Sequence, residues 1–294
     1  MRAKGSLGGS LFTVTNTLLM VGLIVVTIYP LLYVLFASLS DPATFVQTRG
    51  ILIAPLGFST AAYKAVFAYP TLLSSYENTL LYVVSGTTIN IVLTSLGAYG
   101  LSRRNVLLGN PIMFMIVFTM FFSGGLVPTY LLVANTLGMI DTPWAVILPP
   151  AISAWNLIIM RTAFQAVPIA LEEAARIDGA NDFAILFQIV LPLSMPVVAV
   201  MILFYSVYHW NAFFNALIYL RSPSLYPLQL VLREILIGNS TQGLTTGVGT
   251  RDVMPIGETI KYAIIVVATL PILCVYPFLQ RFFVKGVLLG AIKE

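Results

Sequence analysis

Residues 172–192 read EEAARIDGANDFAILFQIVLP and set five ionisable groups, Glu172, Glu173, Arg176, Asp178 and Asp182, within eleven positions. The apolar runs on either side are long enough to cross a bilayer, which takes about 20 residues for about 30 Å of hydrocarbon. The concentration stands out because only 9% of the 294 residues are charged and 59% are hydrophobic, with a mean hydropathy of +0.94. Soluble domains carry about 25% charged residues. The composition therefore predicts an all-α polytopic membrane protein and puts the charged stretch in a loop at the membrane face.

Working outward, spans are expected at about 13–39, 78–101, 111–134, 144–163, 196–220 and 259–280. The basic N-terminus with Arg2 and Lys4 leads into an apolar run from Leu11 to Leu39. That run exceeds the about 7–15 residues of a secretory h-region, so it is read as a retained first span. Six spans place both termini on one side. Lys and Arg accumulate in short cytoplasmic loops. Arg2, Lys4, Arg103, Arg104, Arg281, Lys285 and Lys293 share one side, whereas the short loop 135–143 holds Asp141 and no Lys or Arg. Both termini and the loop of about 164–195 are thus expected in the cytoplasm, and 40–77, 135–143 and about 221–258 outside. The chain reads as a single transmembrane domain, 1–294. Cys274 is the lone cysteine, so no internal disulfide is possible, and the net charge of +4 gives no reason to expect nucleic acid.

Within the quoted stretch, Pro168 can open a helix, because the N–H it lacks has no partner in a first turn. Glu172 and Glu173 then lie in early turns, where negative charge suits the helix dipole. Ala174 and Ala175 are small, strong helix formers. Gly179 is a natural stop, Asn181 or Asp182 can cap a second helix, and Pro192 ends it. The expected product is two short helices meeting at a bend, the first polar and the second apolar. A solvated helical loop and a helix gripped closely by another protein both fit this pattern. The Ala-Ala face flanked by acids favours the second.

Glu173-Ala174-Ala175, three residues, Gly179, nine residues, then Ile189-x-Leu191-Pro192 resembles the EAA motif of ATP-binding-cassette importer permeases, with every position filled. Gln280-Arg281-Phe282-Phe283-Val284-Lys285-Gly286 and Trp210-Asn211-x-Phe213 resemble the carbohydrate branch, and specifically the smaller maltose-type permease. FFSGGLVPTYLLV, 121–133, resembles a subgroup importing acidic oligosaccharides from pectin or alginate. The resemblance implies the type I importer permease fold of six transmembrane helices with a cytoplasmic coupling helix, in the bacterial cytoplasmic (inner) membrane. It implies that Glu172, Glu173, Ala174, Ala175, Asp178, Gly179, Ile189, Leu191 and Pro192 form the contact with a separate ATPase dimer. Glu173, and with it Glu172, would pair with basic groups there, and Arg176 and Asp178 would fix the bend or join the contact. The implied partners are a second homologous permease, the ATPase dimer, an extracytoplasmic solute-binding protein and membrane lipid. ATP and Mg would sit on the ATPase subunits, with no cofactor on this chain.

A sugar path needs hydrogen-bonding groups and aromatic faces. Tyr208, Asn211, Asn215 and Tyr219 recur at intervals of three or four, which is one face of a continuous helix. Trp155 and Asn156 offer a similar pair in span 4. Helix packing is the competing and, residue by residue, the stronger explanation, with Asn bridging spans and aromatics at interfaces. His209, the single histidine, reads as a packing or hydrogen-bonding residue. The polar loop of about 221–258 is expected outside; the resemblance implies a segment that reaches into a binding protein, and a simply mobile loop fits its composition as well. Gly238-x-x-x-x-Gly243 has the glycine spacing of a phosphate loop, but Leu244 stands where the phosphate-binding Lys is required.

Two other classes compete. An ion-coupled secondary transporter places ionisable groups near the bilayer midplane, and the spans offer only His209. An intramembrane enzyme needs a metal set or a nucleophile with its base, and neither is visible. The resemblance thus implies a non-enzymatic permease subunit of an ATP-driven, binding-protein-dependent importer of oligosaccharides, acidic ones such as pectin or alginate fragments among them, with a permease for another small solute or an ion-coupled secondary transporter as the alternative.

Overall fold

The computed structural model describes residues 7–48, 50–103, 106–237 and 257–274. Among them the regular structure is helical, with one isolated bridge between Ser40 and Phe58. The chain divides into two compact units, residues 1–70 with 234–271, and residues 71–233 with 272–294. Among the described residues three helices are long and apolar enough to cross a membrane, or up to six if each of three bent pairs counts as one span.

The first unit begins with α1, Leu7–Ser38. Its apolar side chains, from Leu11 and Phe12 to Leu35, are exposed, a surface for lipid or another chain. Asp41 then caps α2, Pro42–Gln47, its Oδ2 accepting from the Thr44 N–H at 3.1 Å, with Pro42 in the first turn. Next is α3, Ala61–Phe67. A set of rings, Tyr29, Tyr33, Phe45 and Tyr262, meets edge-on or tilted at centroid distances of 5.5–6.2 Å.

The second unit is built on α4, Leu72–Ser102. Ser75, Thr79, Tyr82, Gly86, Asn90, Thr94, Ala98 and Ser102 are buried along it at steps of three or four. Small and hydroxylated residues at that spacing let helices approach closely in lipid. Following α4 come α5, Gly109–Phe121, and α6, Leu126–Leu131, which widens into a π-helical turn at Leu132–Thr136. Then come α7, Trp144–Ile147; α8, Ala154–Gln165; α9, Ile169–Ile177; and α10, Asp182–Ile185. A second π-helical turn, Leu186–Val190, leads into α11, Leu191–Leu193. Of the remaining elements, α12, Met195–Asn211, and α13, Phe214–Tyr219, belong to this unit; α14, Leu228–Ile237, is divided between the units after residue 233, and α15, Gly257–Cys274, belongs to the first up to residue 271.

Three expected spans are broken rather than straight. The run 111–134 bends by 112° at residues 122–125. The run 144–163 is interrupted between α7 and α8 by Pro149-Pro150. The run 196–220 stops at Asn211 and resumes at Phe214. Backbone freed in this way must find partners in the apolar interior. At the Pro-Pro break it finds them on neighbouring helices. The Asn90 amide donates to Pro150 O at 2.7 Å and Ala151 O at 2.9 Å, and the Ser153 N–H donates to the Tyr205 hydroxyl at 3.2 Å. The expected polar loop after residue 221 is also part helix. In α14, Leu228, Leu230, Val231 and Ile235 are almost fully buried. The C-terminal tail and the glycine pair at 238 and 243 lie outside the described residues.

Candidate functional site

The charged stretch folds as a two-armed bend. Pro168 sits at the N-cap of α9 rather than inside it, and its C=O accepts from the Leu171 N–H at 3.2 Å. At the other end, Gly179 has φ +85°, a conformation that costs a side chain about 1–2 kcal/mol. Its N–H donates to Arg176 O at 3.1 Å, while the Ala180 N–H reaches back to Ala175 O at 2.9 Å. This pair of bonds closes the helix end and turns the chain. Asn181 then caps α10, its Oδ1 accepting from the Ala184 N–H at 2.8 Å. Arg176 bridges the arms to Asp182 at 2.8 Å. Pro192 does not end the second arm, which continues to Leu193. The wide π-helical turn immediately precedes this proline, which lacks the N–H a regular turn would use.

The arms face different surroundings. On the first, Glu173, Ala174, Asp178 and Gly179 are exposed and Ala175 is half-buried. On the second, Ile185, Leu186 and Val190 are fully buried with Ala98 and Tyr99 of α4, Leu157, Met160 and Phe164 of α8, and Val198 and Met201 of α12. Ala175 and Leu191 pack against that core. Ile189 is half-buried and Pro192 exposed. The bend thus presents an acid and a small-residue surface outward while its other arm is held among the long helices.

Glu172 behaves differently from its neighbour. It is 4% exposed and forms an ion pair with Arg103 at the C-cap of α4. It is therefore turned inward, away from the surface expected to meet another protein. Arg103 also donates to Phe164 O at 3.2 Å and to the Ser102 hydroxyl at 2.8 Å, and lies 4.7 Å from the centre of the Tyr99 ring. Burial lowers its pKa from the ordinary arginine value, but a guanidinium remains charged. Arg161 makes the reciprocal link, its Nε donating to Leu101 O at 2.8 Å. Each arginine thereby satisfies a carbonyl in the last turn of the other's helix. The sequence marks Arg103 only as a loop cation. Its pairing was hidden because Glu172 lies far along the chain.

The sugar-path candidates separate. Asn156, almost fully buried, and Tyr208, half-exposed, line one cavity of about 250 Å³ with Ser153, Phe204 and Tyr205. Trp155 is 60% exposed on the same turn of α8. Tyr208 and Asn211 share a face of α12, but Asn215 and Tyr219 do not continue it, because the helix breaks at residues 212–213. The Asn211 amide donates to Val207 O at 2.8 Å, Asn215 is half-buried, and Tyr219 is buried in a stack on Tyr130 at 5.9 Å. His209 is buried, its Nε2 2.7 Å from Asn90 Oδ1. Since the Asn90 amide already donates to two carbonyls, its oxygen accepts and His209 Nε2 donates. Gly86 leaves room for the ring, which a Cβ there would strike.

At the far end of this unit, Asp141 ties two loops together. Its Oδ1 accepts from the N–H groups of Arg221 and Ser222 at 2.9 and 2.8 Å, and its Oδ2 from the Ser222 hydroxyl at 2.5 Å. The Ser222 bonds hold its pKa below the ordinary value of 3.8. No group of three or more His, Cys, Asp or Glu among the described residues has metal-binding geometry.

The family described as "Binding-protein-dependent transport system inner membrane component" matches residues 1–289. The polygalacturonan/rhamnogalacturonan transport system permease protein YtcP of Bacillus subtilis is 47% identical over 91% of this chain and 93% of its own. Protein LplC of the same organism is 44% identical over 97% and 96%. Among solved structures, a bacterial ABC transporter involved in the import of the acidic polysaccharide alginate superposes with a TM-score of 0.86. It is 31% identical, covering 96% of this chain and 99% of that one.

Proposed function

The chain belongs to the family of inner membrane components of binding-protein-dependent transport systems, and from that premise we propose that it is a permease subunit importing acidic oligosaccharides of the pectin or alginate kind. The names of the pectin-polymer permease and of the alginate importer support this cargo. The observation that carries the coupling role is the two-armed bend, exposed on α9 and buried with α4, α8 and α12 on its second arm. ATP and Mg belong on a separate ATPase dimer, which α9 meets through Glu173, Ala174, Ala175, Asp178 and Gly179. Charge on such a surface sets register and partner choice more than affinity. A second permease completes the path, and both termini of this chain lie in the cytoplasm. A binding protein delivers sugar outside, closure of the ATPase dimer displaces α9, and the spans alternate their access. Asn156 and Tyr208, at one cavity with Tyr205, are this chain's candidates for sugar contact.

The test is reconstitution of the chain in lipid with its partner permease, ATPase and binding protein. Hydrolysis stimulated by the binding protein loaded with oligogalacturonate or oligo-alginate, and not by neutral maltooligosaccharide, is the expected result. Stimulation by the neutral sugar alone would overturn the cargo. Glu173→Lys should release the ATPase while the spans stay folded.

A further inference from the structure

Two acids stand side by side on α9, and only one is available to a partner. Glu172 is 4% exposed and ion-paired, whereas Glu173 is exposed. The partner of Glu172 is Arg103, the residue that ends α4. Arg103 in turn holds Phe164 O at the end of α8, the Ser102 hydroxyl, and the face of the Tyr99 ring. The Tyr99 hydroxyl points to Asp182 Oδ1 at 3.4 Å, the oxygen that also accepts from Arg176. One guanidinium therefore joins the first arm of the bend to two long helices, with a side branch to the second arm.

Between α8 and α9 the chain turns by 73° through residues 166–168. A cleft of about 410 Å³ lies at that turn, lined by Arg103, Gln165, Glu172, Glu173 and Arg176. Of the connecting residues Ala166 and Pro168 are exposed and only Val167 packs against the core, so the connection is a thin link between the two helices. The ion pair spans this cleft. Opening the pair strands the buried Glu172 carboxylate, which is far costlier than parting two exposed charges. The Arg176–Asp182 pair, with both side chains more than half exposed, lacks that resistance.

We propose that Arg103 is a positioning residue for transport: through Glu172 it makes α9 and the end of α4 move as one body. A displacement of α9 then reaches α4 and, through the buried contacts of α4 with α8 and α12, the spans. The inference rests on the reading of α9 as the ATPase-docking helix.

The complete complex in proteoliposomes tests it, with three readouts: co-purification of the ATPase, hydrolysis stimulated by loaded binding protein, and sugar taken up per ATP hydrolysed. Arg103→Gln and Glu172→Gln should each leave the ATPase bound but lower uptake per ATP about ten-fold, a common size for coupling between sites. The double variant should be no worse than either single, because both remove one interaction. Arg103→Lys keeps the charge but not the fork or the stacking, and should fall between. If Arg103→Gln is not recovered in the membrane, Glu172→Gln carries the same test, since Arg103 can then face water in the cleft. Unchanged uptake per ATP, or losses that multiply in the double variant, would overturn the proposal. So would loss of assembly in every variant, because the pair would then hold the fold rather than pass on a movement. Glu173→Lys separates the two readings. If it leaves ATPase binding and uptake intact, the docking reading fails. If it releases the ATPase while the Arg103 and Glu172 variants couple normally, only this inference fails.

Discussion

The bend at residues 178–181 and the break at residues 148–153 both interrupt a helical run, yet they are closed by opposite means. The bend is closed from within: Gly179 and Ala180 return to carbonyls three and five residues back, Asn181 caps three residues ahead, and Arg176 reaches six residues to Asp182. The break is closed from afar. Its carbonyls at Pro150 and Ala151 are held by Asn90, and its Ser153 N–H by Tyr205. A self-contained turn can sit at a surface and be displaced as a piece. The break keeps one short bond of its own, Ala151 N–H to Leu148 O at 3.0 Å, but a turn whose remaining groups are held by other helices ties those helices together, and opening it exposes backbone to lipid.

The largest effect expected from this contrast is at Asn90. Asn90→Leu removes both donors to the break and the acceptor of His209. The loss should be about 2–4 kcal/mol, since buried polar groups left unpaired cost about 1–3 kcal/mol each. That exceeds the roughly 0.6 kcal/mol average of single bonds between membrane helices. Thermal unfolding in detergent would read it, and an unchanged midpoint would mean that water replaces the amide. Gly179→Val comes next. A β-branched residue at φ +85° strains the backbone by about 1–2 kcal/mol, although space for its Cβ is open. ATPase co-purification should fall while the unfolding midpoint drops by about half as much as in Asn90→Leu; a midpoint shift as large as that of Asn90→Leu would erase the distinction between the two turns. Asn181→Ala deletes one cap, worth about 1 kcal/mol. It should speed hydrogen exchange at the amide of Ala184 and leave the break untouched.

The smallest effect belongs to Asp141. Its folded pKa lies below 3.8 because Ser222 donates to it from hydroxyl and backbone. The tie it makes is therefore complete above about pH 4 and lost as pH falls through the depressed folded value. Limited proteolysis near residues 221–222 should rise only below that window in the native chain. Asp141→Asn should remove the pH dependence.

The same division explains what could be read from residue order. Gly179 as a stop, Asn181 as a cap and the polar-then-apolar arms were legible, because each rests on interactions a few residues long. The pairing of Tyr208, Asn211, Asn215 and Tyr219 on one face was an inference from spacing that presumed an unbroken helix. No Gly or Pro marks the stop at Asn211, so no local signal warned of it. The buried helix at Leu228–Ile237 was hidden behind the polar composition that follows it. Arg103 and Glu172 were both conspicuous, one as a loop cation and the other as a motif acid. Nothing in either neighbourhood says that they meet.

By itself the sequence determined a helical membrane chain, the position of its charged bend, and the residues of that bend. Hydrophobic run length, capping and charge asymmetry act over a turn or a span, and they write themselves directly into residue order. Only the tertiary structure decided which of two adjacent acids faces outward, which helices satisfy the Pro-Pro break, and which polar residues share a cavity. Those outcomes depend on buried polar groups finding partners across about 60 to 120 residues of chain, and the packing of helices, not spacing along one of them, selects the partner.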